Sequence, residues 1–329
     1  MIITRTPFRI SFVGGGSDLE AFYSRKKGAV ISTTINRYMY ISTHRFFEPD
    51  KIRVKYSRTE TVDHISELQH PILKTVLEKF NVSGGLEISS IADVPAGTGM
   101  GSSSSFTVGL LHNLYAWKGQ EVSKEQLAAE ACQIEIDLLK EPIGKQDQYA
   151  AAYGGLNLIE FHSDNTVSVT PLGLSEEMLQ VLQQHLVLFY TGNQRSASDI
   201  LRQQKSNTGE RKDTFQALSE MTDLVYDLKD ILVKGKLEEV GKLLDINWQL
   251  KKSLSGGITS PEIESAYETA MRMGATGGKL LGAGGGGFLM FFCPPEKQPG
   301  LIQALQPLRV FDCNFDTEGS KLIYYGEQY

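Results

Sequence analysis

The stretch Pro95-Ala96-Gly97-Thr98-Gly99-Met100-Gly101-Ser102-Ser103-Ser104-Ser105 follows a strand-like run and precedes a helical pattern. Glycines let backbone turn tightly and approach a ligand, and a helix start offers unpaired N–H groups with partial positive charge. Together they make a phosphate cradle of Pro95, Gly97, Gly99, Met100, Gly101, Ser102, Ser103 and Ser104. The serine hydroxyls can donate to phosphate oxygens or hold magnesium, an ion that takes oxygen ligands and commonly sits between protein and nucleotide phosphates. A Walker A loop is excluded, since no lysine follows Gly101. The structural alternative is a flexible turn with a serine cap.

A second cluster, Arg9 to Asp18 with Gly14, Gly15 and Gly16, also leaves a strand and puts a carboxylate on an expected helix start. A third, Lys279 to Phe288, contains Gly282-x-Gly284-x-x-Gly287 and so fits the dinucleotide pattern literally. A strand-like run follows it, whereas that fingerprint must open a helix, so the match fails its own test. The four consecutive glycines instead imply backbone packed on backbone, with the phosphate loop as the expected neighbour. Near the turn at Pro142 lie Glu135 and Asp147. A carboxylate at Asp147, close to Lys145 and a cation such as Arg9, would stay ionised and accept a hydroxyl proton, leaving Glu135 for magnesium. Spacing alone does not single these two out of 39 acidic residues.

The elements that must position these groups read as α+β. Strand-like runs occur at Ile2 to Phe8, Ala29 to Thr34, Tyr38 to His44, Ile52 to Tyr56 and Gly85 to Ile91, followed by helical patterns from Val108 and from Ser123 to Leu139. Pro142 stops the second helix, and two further strands precede an expected boundary near Pro171 to Ser175. The second half is more helical, with strands at Leu186 to Tyr190, Phe288 to Phe292 and Leu322 to Tyr325; Lys205 to Lys212, polar and unpatterned, reads as a surface loop. The domains expected are 1–172 and 173–329.

With 33 basic against 39 acidic residues in 329, the formal charge of −6 gives no electrostatic reason to expect nucleic acid or an anionic membrane as partner. Three scattered cysteines without a Cys-x-x-Cys pair read as buried, reduced thiols. The amino terminus lacks a signal-peptide core and no apolar run approaches a membrane span, so the expected compartment is the cytoplasm. Subunit number is open.

The three glycine clusters, in this order and at these distances, resemble the motifs of the GHMP kinases, and the resemblance spans nearly the whole chain. It implies a GHMP kinase fold: a ribosomal-protein-S5-like amino-terminal domain fused to an α+β carboxy-terminal domain, with the active site between them. It implies ATP and Mg2+ as cofactors and a small-molecule sugar or sugar phosphate as substrate. Carried over by motif, Asp147 is the catalytic aspartate, Arg9 the arginine beside the phosphoryl acceptor, and Ser103 (or neighbouring Ser102) and Glu135 the magnesium ligands. Asp18 holds sugar hydroxyls beside Gly14, Gly15, Gly16, Gly284 and Gly285. Galactokinases carry Gly-Glu-His-Thr-Asp where this chain has Gly14-Gly15-Gly16-Ser17-Asp18. Two pocket side chains are thus replaced by glycine, which puts galactose in doubt.

The form Arg-Ile-Ser-Phe-x-Gly-Gly-Gly-x-Asp-Leu, with Thr191 to Leu201, resembles the sugar 1-kinase branch that acts on heptose 7-phosphate and fucose. The implied reaction moves the ATP γ-phosphoryl group to the anomeric C1 hydroxyl of D-glycero-D-manno-heptose 7-phosphate. Its distal phosphate would need a cationic clamp, for which Arg195 is the candidate ahead of Lys145 and Arg25. A fucokinase-like sugar 1-kinase is the alternative. Outside the kinases, the rivals are a decarboxylase of the same superfamily and a non-catalytic sugar sensor.

Overall fold

The computed structural model describes residues 1–192 and 197–326. Alternating side chains make β1 (Ile2–Gly14) and β2 (Gly28–Arg45) a long antiparallel pair. The runs expected at Ala29 to Thr34 and Tyr38 to His44 form one strand. Asn36 and Arg37 drop out of the pairing at a register shift opposite Pro7 and Phe8, where proline has no N–H to give. β3 (Ile52–Lys55), β4 (Thr59–Val62) and β5 (Leu86–Ala92) extend the sheet beyond β2, and β6 (Asn157–Phe161) and β7 (Val167–Pro171) form a hairpin on its other end.

Helices α1 (Glu20–Tyr23), α2 (Pro71–Lys79), α3 (Ser102–Trp117), α4 (Lys124–Cys132) and α5 (Gln146–Tyr153) accompany these strands. Ser123 caps α4, its hydroxyl accepting from the Gln126 N–H at 3.1 Å. The helix then widens into a π-helix over Gln133–Leu138 that buries Ile134 and Glu135. Such π turns recur at functional sites, and this one brings a carboxyl inward.

The chain leaves the first sheet at Pro171. After α6 (Glu176–Gln184), four strands make a second sheet in the order β11-β8-β10-β9: β8 (Leu186–Tyr190), β9 (Gly277–Leu280), β10 (Phe288–Phe292) and β11 (Arg309–Phe311). Helices α7 (Ala197–Glu210), α8 (Lys212–Val233), α9 (Val240–Lys252), α10 (Pro261–Arg272) and α11 (Gln298–Ala304) complete this part. The chain then returns to the first sheet. β12 (Phe315–Asp316) pairs with β2, and β13 (Lys321–Tyr325) pairs with the outer side of β1.

The loop expected at Lys205 to Lys212 is a correction: α7 runs through to Glu210. Its buried side is partly polar, with Gln204 and Thr208 inside, and Asn207 donates to the Leu254 carbonyl at 2.8 Å. Tertiary polar contacts thus replace the apolar stripe that would have revealed it. α8 and α9 lie against β1, and one apolar cluster runs from Phe8 and Ile31 through Val225, Leu228 and Leu281. The cleft between the two parts is therefore walled by elements that share a core. No described helix is long and apolar enough to cross a membrane.

Candidate active site

Gly97, Gly99 and Gly101 all lie in the left-handed region, with φ of 76°, 81° and 76°. For Gly99 a side chain is also excluded by space, since a Cβ would stand 2.5 Å from the Leu281 carbonyl oxygen. From the other side, a Cβ on Gly282 would meet the Gly99 Cα at 2.3 Å, and one on Gly287 the Thr98 carbonyl oxygen at 2.3 Å. The third glycine cluster thus packs backbone to backbone on the phosphate loop. α3 starts at Ser102 with Gly101 as N-cap, and Pro95, Gly97, Gly99, Gly101, Ser102 and Ser103 line a cleft of about 780 Å³. Met100 and Ser104 face away: the Met100 side chain is in the core and Ser104 is buried on the inner side of α3. A left-handed glycine on either side of Met100 reverses the chain there.

Arg9 and Ser11 share one face of β1 and line the cleft, while Phe8, Ile10 and Phe12 alternate onto the other. The buried Arg9 makes a two-pronged pair with Asp147, Nε to Oδ1 at 2.7 Å and Nη2 to Oδ2 at 2.8 Å. Its Nη1 donates to the Gly99 carbonyl at 2.6 Å, and its backbone N–H to that of Met100 at 3.2 Å. Arginine's fixed fork is suited to such bidentate contact. One side chain therefore fixes both the loop and the carboxylate. Asp147 lies in the first turn of α5 against the head of α3, where a Cβ on Gly101 would stand 3.2 Å from its Oδ2.

Asp18 accepts from the Gly16 N–H at 2.9 Å and the Gln146 N–H at 3.2 Å, tying the first glycine turn to the turn before α5. Its neighbour Gly144 has to be glycine, since a Cβ would stand 1.9 Å from Asp18 Oδ2. Burial, and then the charge of Asp147, push the Asp18 carboxyl above its ordinary range. Gly14, Gly15 and Gly16 line the cleft beside it.

Glu135 is fully buried behind Ser103, with Oε2 accepting from Gln148 Nε2 at 2.8 Å and Oε1 left without a hydrogen-bond partner. Burial pushes its carboxyl up to about 7, although Ser103, Gln148 and Ser104 pull the other way. An orphaned carboxylate oxygen beside hydroxyls at a helix head fits magnesium, which binds through one or two carboxylates together with substrate phosphates.

Other sequence expectations land elsewhere. Lys145 points away from the cleft, donating to the Asn165 carbonyl at 2.9 Å and lying 4.7 Å from the centre of the Tyr23 ring. Its ammonium is held by Asn165 and does not line the cleft. Gly284 and Gly285 also miss the cleft. A Cβ on Gly284 would meet the Ile258 Cα at 2.8 Å, and the Gly285 N–H donates to the Ile258 carbonyl at 2.9 Å. Their turn is folded down on the α9–α10 connection. Arg195 lies outside the described residues. Arg25 stacks on the Phe215 ring, 4.1 Å from its centre.

Two lysines that the sequence reading passed over do line the cleft. Lys251 donates to the carbonyls of Leu280, at 3.0 Å, and Gly282; Lys279 donates to the Phe12 carbonyl at 2.9 Å and Ser11 Oγ at 3.4 Å. Both are buried and, among the described residues, neither meets a carboxylate. Burial, and then Arg9, lower Lys251 to about 7; burial, Lys251 and Arg9 hold Lys279 well below the lysine range. A signal was present: Lys251 shares the buried α9 face of Leu244 and Trp248, and Lys279 opens an apolar run. At the opposite end the cleft is aromatic, with Phe106 and Tyr56 5.0 and 4.8 Å from the His70 ring.

Residues 67–155 match the model for the GHMP kinases N terminal domain, and residues 228–306 that for GHMP kinases C terminal. The D-glycero-alpha-D-manno-heptose 7-phosphate kinase of Campylobacter jejuni is 30% identical over 97% of this chain and 98% of its own length. The bifunctional fucokinase/GDP-fucose pyrophosphorylase of Arabidopsis thaliana is 27% identical over 93% of this chain but only 31% of that protein. In fold, the crystal structure of a D-glycero-D-manno-heptose 1-phosphate kinase from Bacteriodes thetaiotaomicron superposes with a TM-score of 0.80 at 24% identity, covering 99% of this chain and 100% of that one.

Proposed function

The chain belongs to the GHMP kinases, ATP-dependent phosphotransferases, and from that premise we propose that its cleft phosphorylates the anomeric C1 hydroxyl of D-glycero-D-manno-heptose 7-phosphate. The observation that carries this reading is the Arg9–Asp147 fork set between the phosphate loop and the first glycine turn. The triphosphate lies along the loop and the N–H groups opening α3, with the base towards Tyr56, His70 and Phe106. The sugar lies towards Gly15, Gly16 and Asp18, where the buried amines of Lys251 and Lys279, whose protons burial disfavours in the ligand-free chain, take up positive charge against an acceptor that carries its own phosphate.

In the step itself, the C1 oxygen attacks the γ-phosphorus, the bond to the β–γ bridging oxygen breaks, and ADP leaves. The hydroxyl proton passes to Asp147, which the two-pronged contact with Arg9 holds in place. Arg9 and the helix dipole offset charge on the moving group, so catalysis rests on positioning and electrostatics. Ser103 and Glu135 would hold Mg2+, which supplies charge neutralisation on the phosphates when bound.

The test is an ADP-release screen over heptose 7-phosphates, hexoses and 6-deoxyhexoses, with phosphorus NMR of the product. The expected product is the 1,7-bisphosphate. Turnover of fucose in place of the heptose would select the fucokinase reading, and carbon dioxide release the decarboxylase. Silence across the panel would leave a sugar sensor.

A further inference from the structure

Gly16 is not an open position. A Cβ there would stand 2.2 Å from Gln204 Nε2 and 3.1 Å from a Leu218 methyl, so the space is filled by a side chain from α7. At neighbouring Gly15 nothing lies within 4 Å. Gln204 is only 4% exposed, yet it lines the cleft with Asp18 and Gly15, and its carboxamide makes no hydrogen bond to any described residue. With no described partner and a place on the cleft wall, the carboxamide is open to the hydrogen bonds of a ligand in the cleft.

A carboxamide presents one acceptor oxygen and two N–H donors. Two neighbouring hydroxyls, each donor and acceptor, match that set; a phosphate, which only accepts at neutral pH, leaves the amide oxygen unmatched. We infer that Gln204 is a specificity-determining residue that reads a pair of adjacent hydroxyls on the acceptor across the Gly15–Gly16 backbone. This rests on the sugar-kinase reading of the cleft. The first glycine turn supplies room rather than recognition, and α7 supplies the recognising group from about 190 positions along the chain.

The experiment is steady-state kinetics of Gln204→Met and Gln204→Glu on D-glycero-D-manno-heptose 7-phosphate, with thermal melting of each variant. Gln204→Met keeps the volume and removes both hydrogen-bonding functions. It is expected to raise KM for the sugar about 10- to 100-fold with kcat and KM for ATP within about threefold, and to leave the melting temperature unchanged or higher. The loss should shrink on two monodeoxy derivatives of the sugar, those lacking one or the other of the adjacent hydroxyls that Gln204 reads, and stay full on the rest. An unchanged sugar KM, an equal loss on every monodeoxy sugar, or a large fall in melting temperature would each overturn the inference. If the parent enzyme ignores the heptose, that reading fails separately. The same comparison then runs on whichever sugar the screen shows it to phosphorylate, and a chain that phosphorylates no sugar overturns both.

Discussion

The two ends of the cleft are built in opposite ways. The phosphate-loop end comes from one stretch of chain, Gly97 to Ser103, and offers backbone N–H groups and hydroxyls at the head of α3. The acceptor end is assembled from β1, α5, α7, α9 and β9, and collects Arg9, Lys251 and Lys279 against Asp18 and Asp147. A helix terminus carries its field wherever the helix forms. Buried side-chain charge exists only where distant elements shield and hold it. The first end therefore takes its field from local chain and needs distant elements only as a brace behind the loop, whereas the second takes its charged groups themselves from how the two parts of the molecule meet.

The largest expected effect is at the junction of the ends. Asp147→Asn keeps the shape and one oxygen for Arg9 but removes the carboxylate proposed to take the proton, so kcat should fall about 10³-fold while ATP affinity stays within about threefold. Single-turnover kinetics beside ATP titration measures both. Near-parental kcat would remove Asp147 from the chemistry.

A matched pair of glycine substitutions sharpens the contrast. Gly99→Ala adds a backbone clash to a left-handed φ and should cost roughly 2–4 kcal/mol, together with loss of ATP binding. Gly15→Ala, with open space and a φ of 90°, should cost only about 1–2 kcal/mol from backbone strain and leave ATP binding intact. Urea denaturation midpoints decide this, and equal costs would mean that the third glycine cluster does not brace the loop.

The smallest effect is a pH slope. Lys251 is lowered to about 7, whereas in the unfolded chain it titrates near 10.4. Between these limits the unfolded state binds more protons, so this group makes ligand-free stability rise as pH climbs from about 7 towards 10. A neutral amine still has two N–H groups for the Leu280 and Gly282 carbonyls. Lys251→Met should flatten that rise in melting temperature between pH 7 and 9.5, and an unaltered slope would count against a neutral buried amine.

Legibility in the sequence followed the same divide. The strand, turn and helix around Pro95 to Ser105 were readable because glycine spacing and a helix start are local, and Arg9 and Asp147 were nameable through motif resemblance. Lys145 was misplaced because nearness in sequence to Asp147 says nothing of the side on which a turn presents its side chain; here Asn165 and Tyr23 draw it away. Helix α7 reads in part as a loop because its buried face is partly polar, and the same pattern hides Gln204.

By itself, then, the sequence determined an α+β fold with a glycine-serine phosphate loop, because periodicity and left-handed turns are properties of short segments, while the kinase activity was implied by motif resemblance. Only the tertiary structure decided that Arg9 forks onto Asp147, that the third glycine cluster backs the loop, and that Gln204 fills the space over Gly16. Those contacts join residues more than 100 positions apart, and such pairings are settled by packing, which no local pattern records.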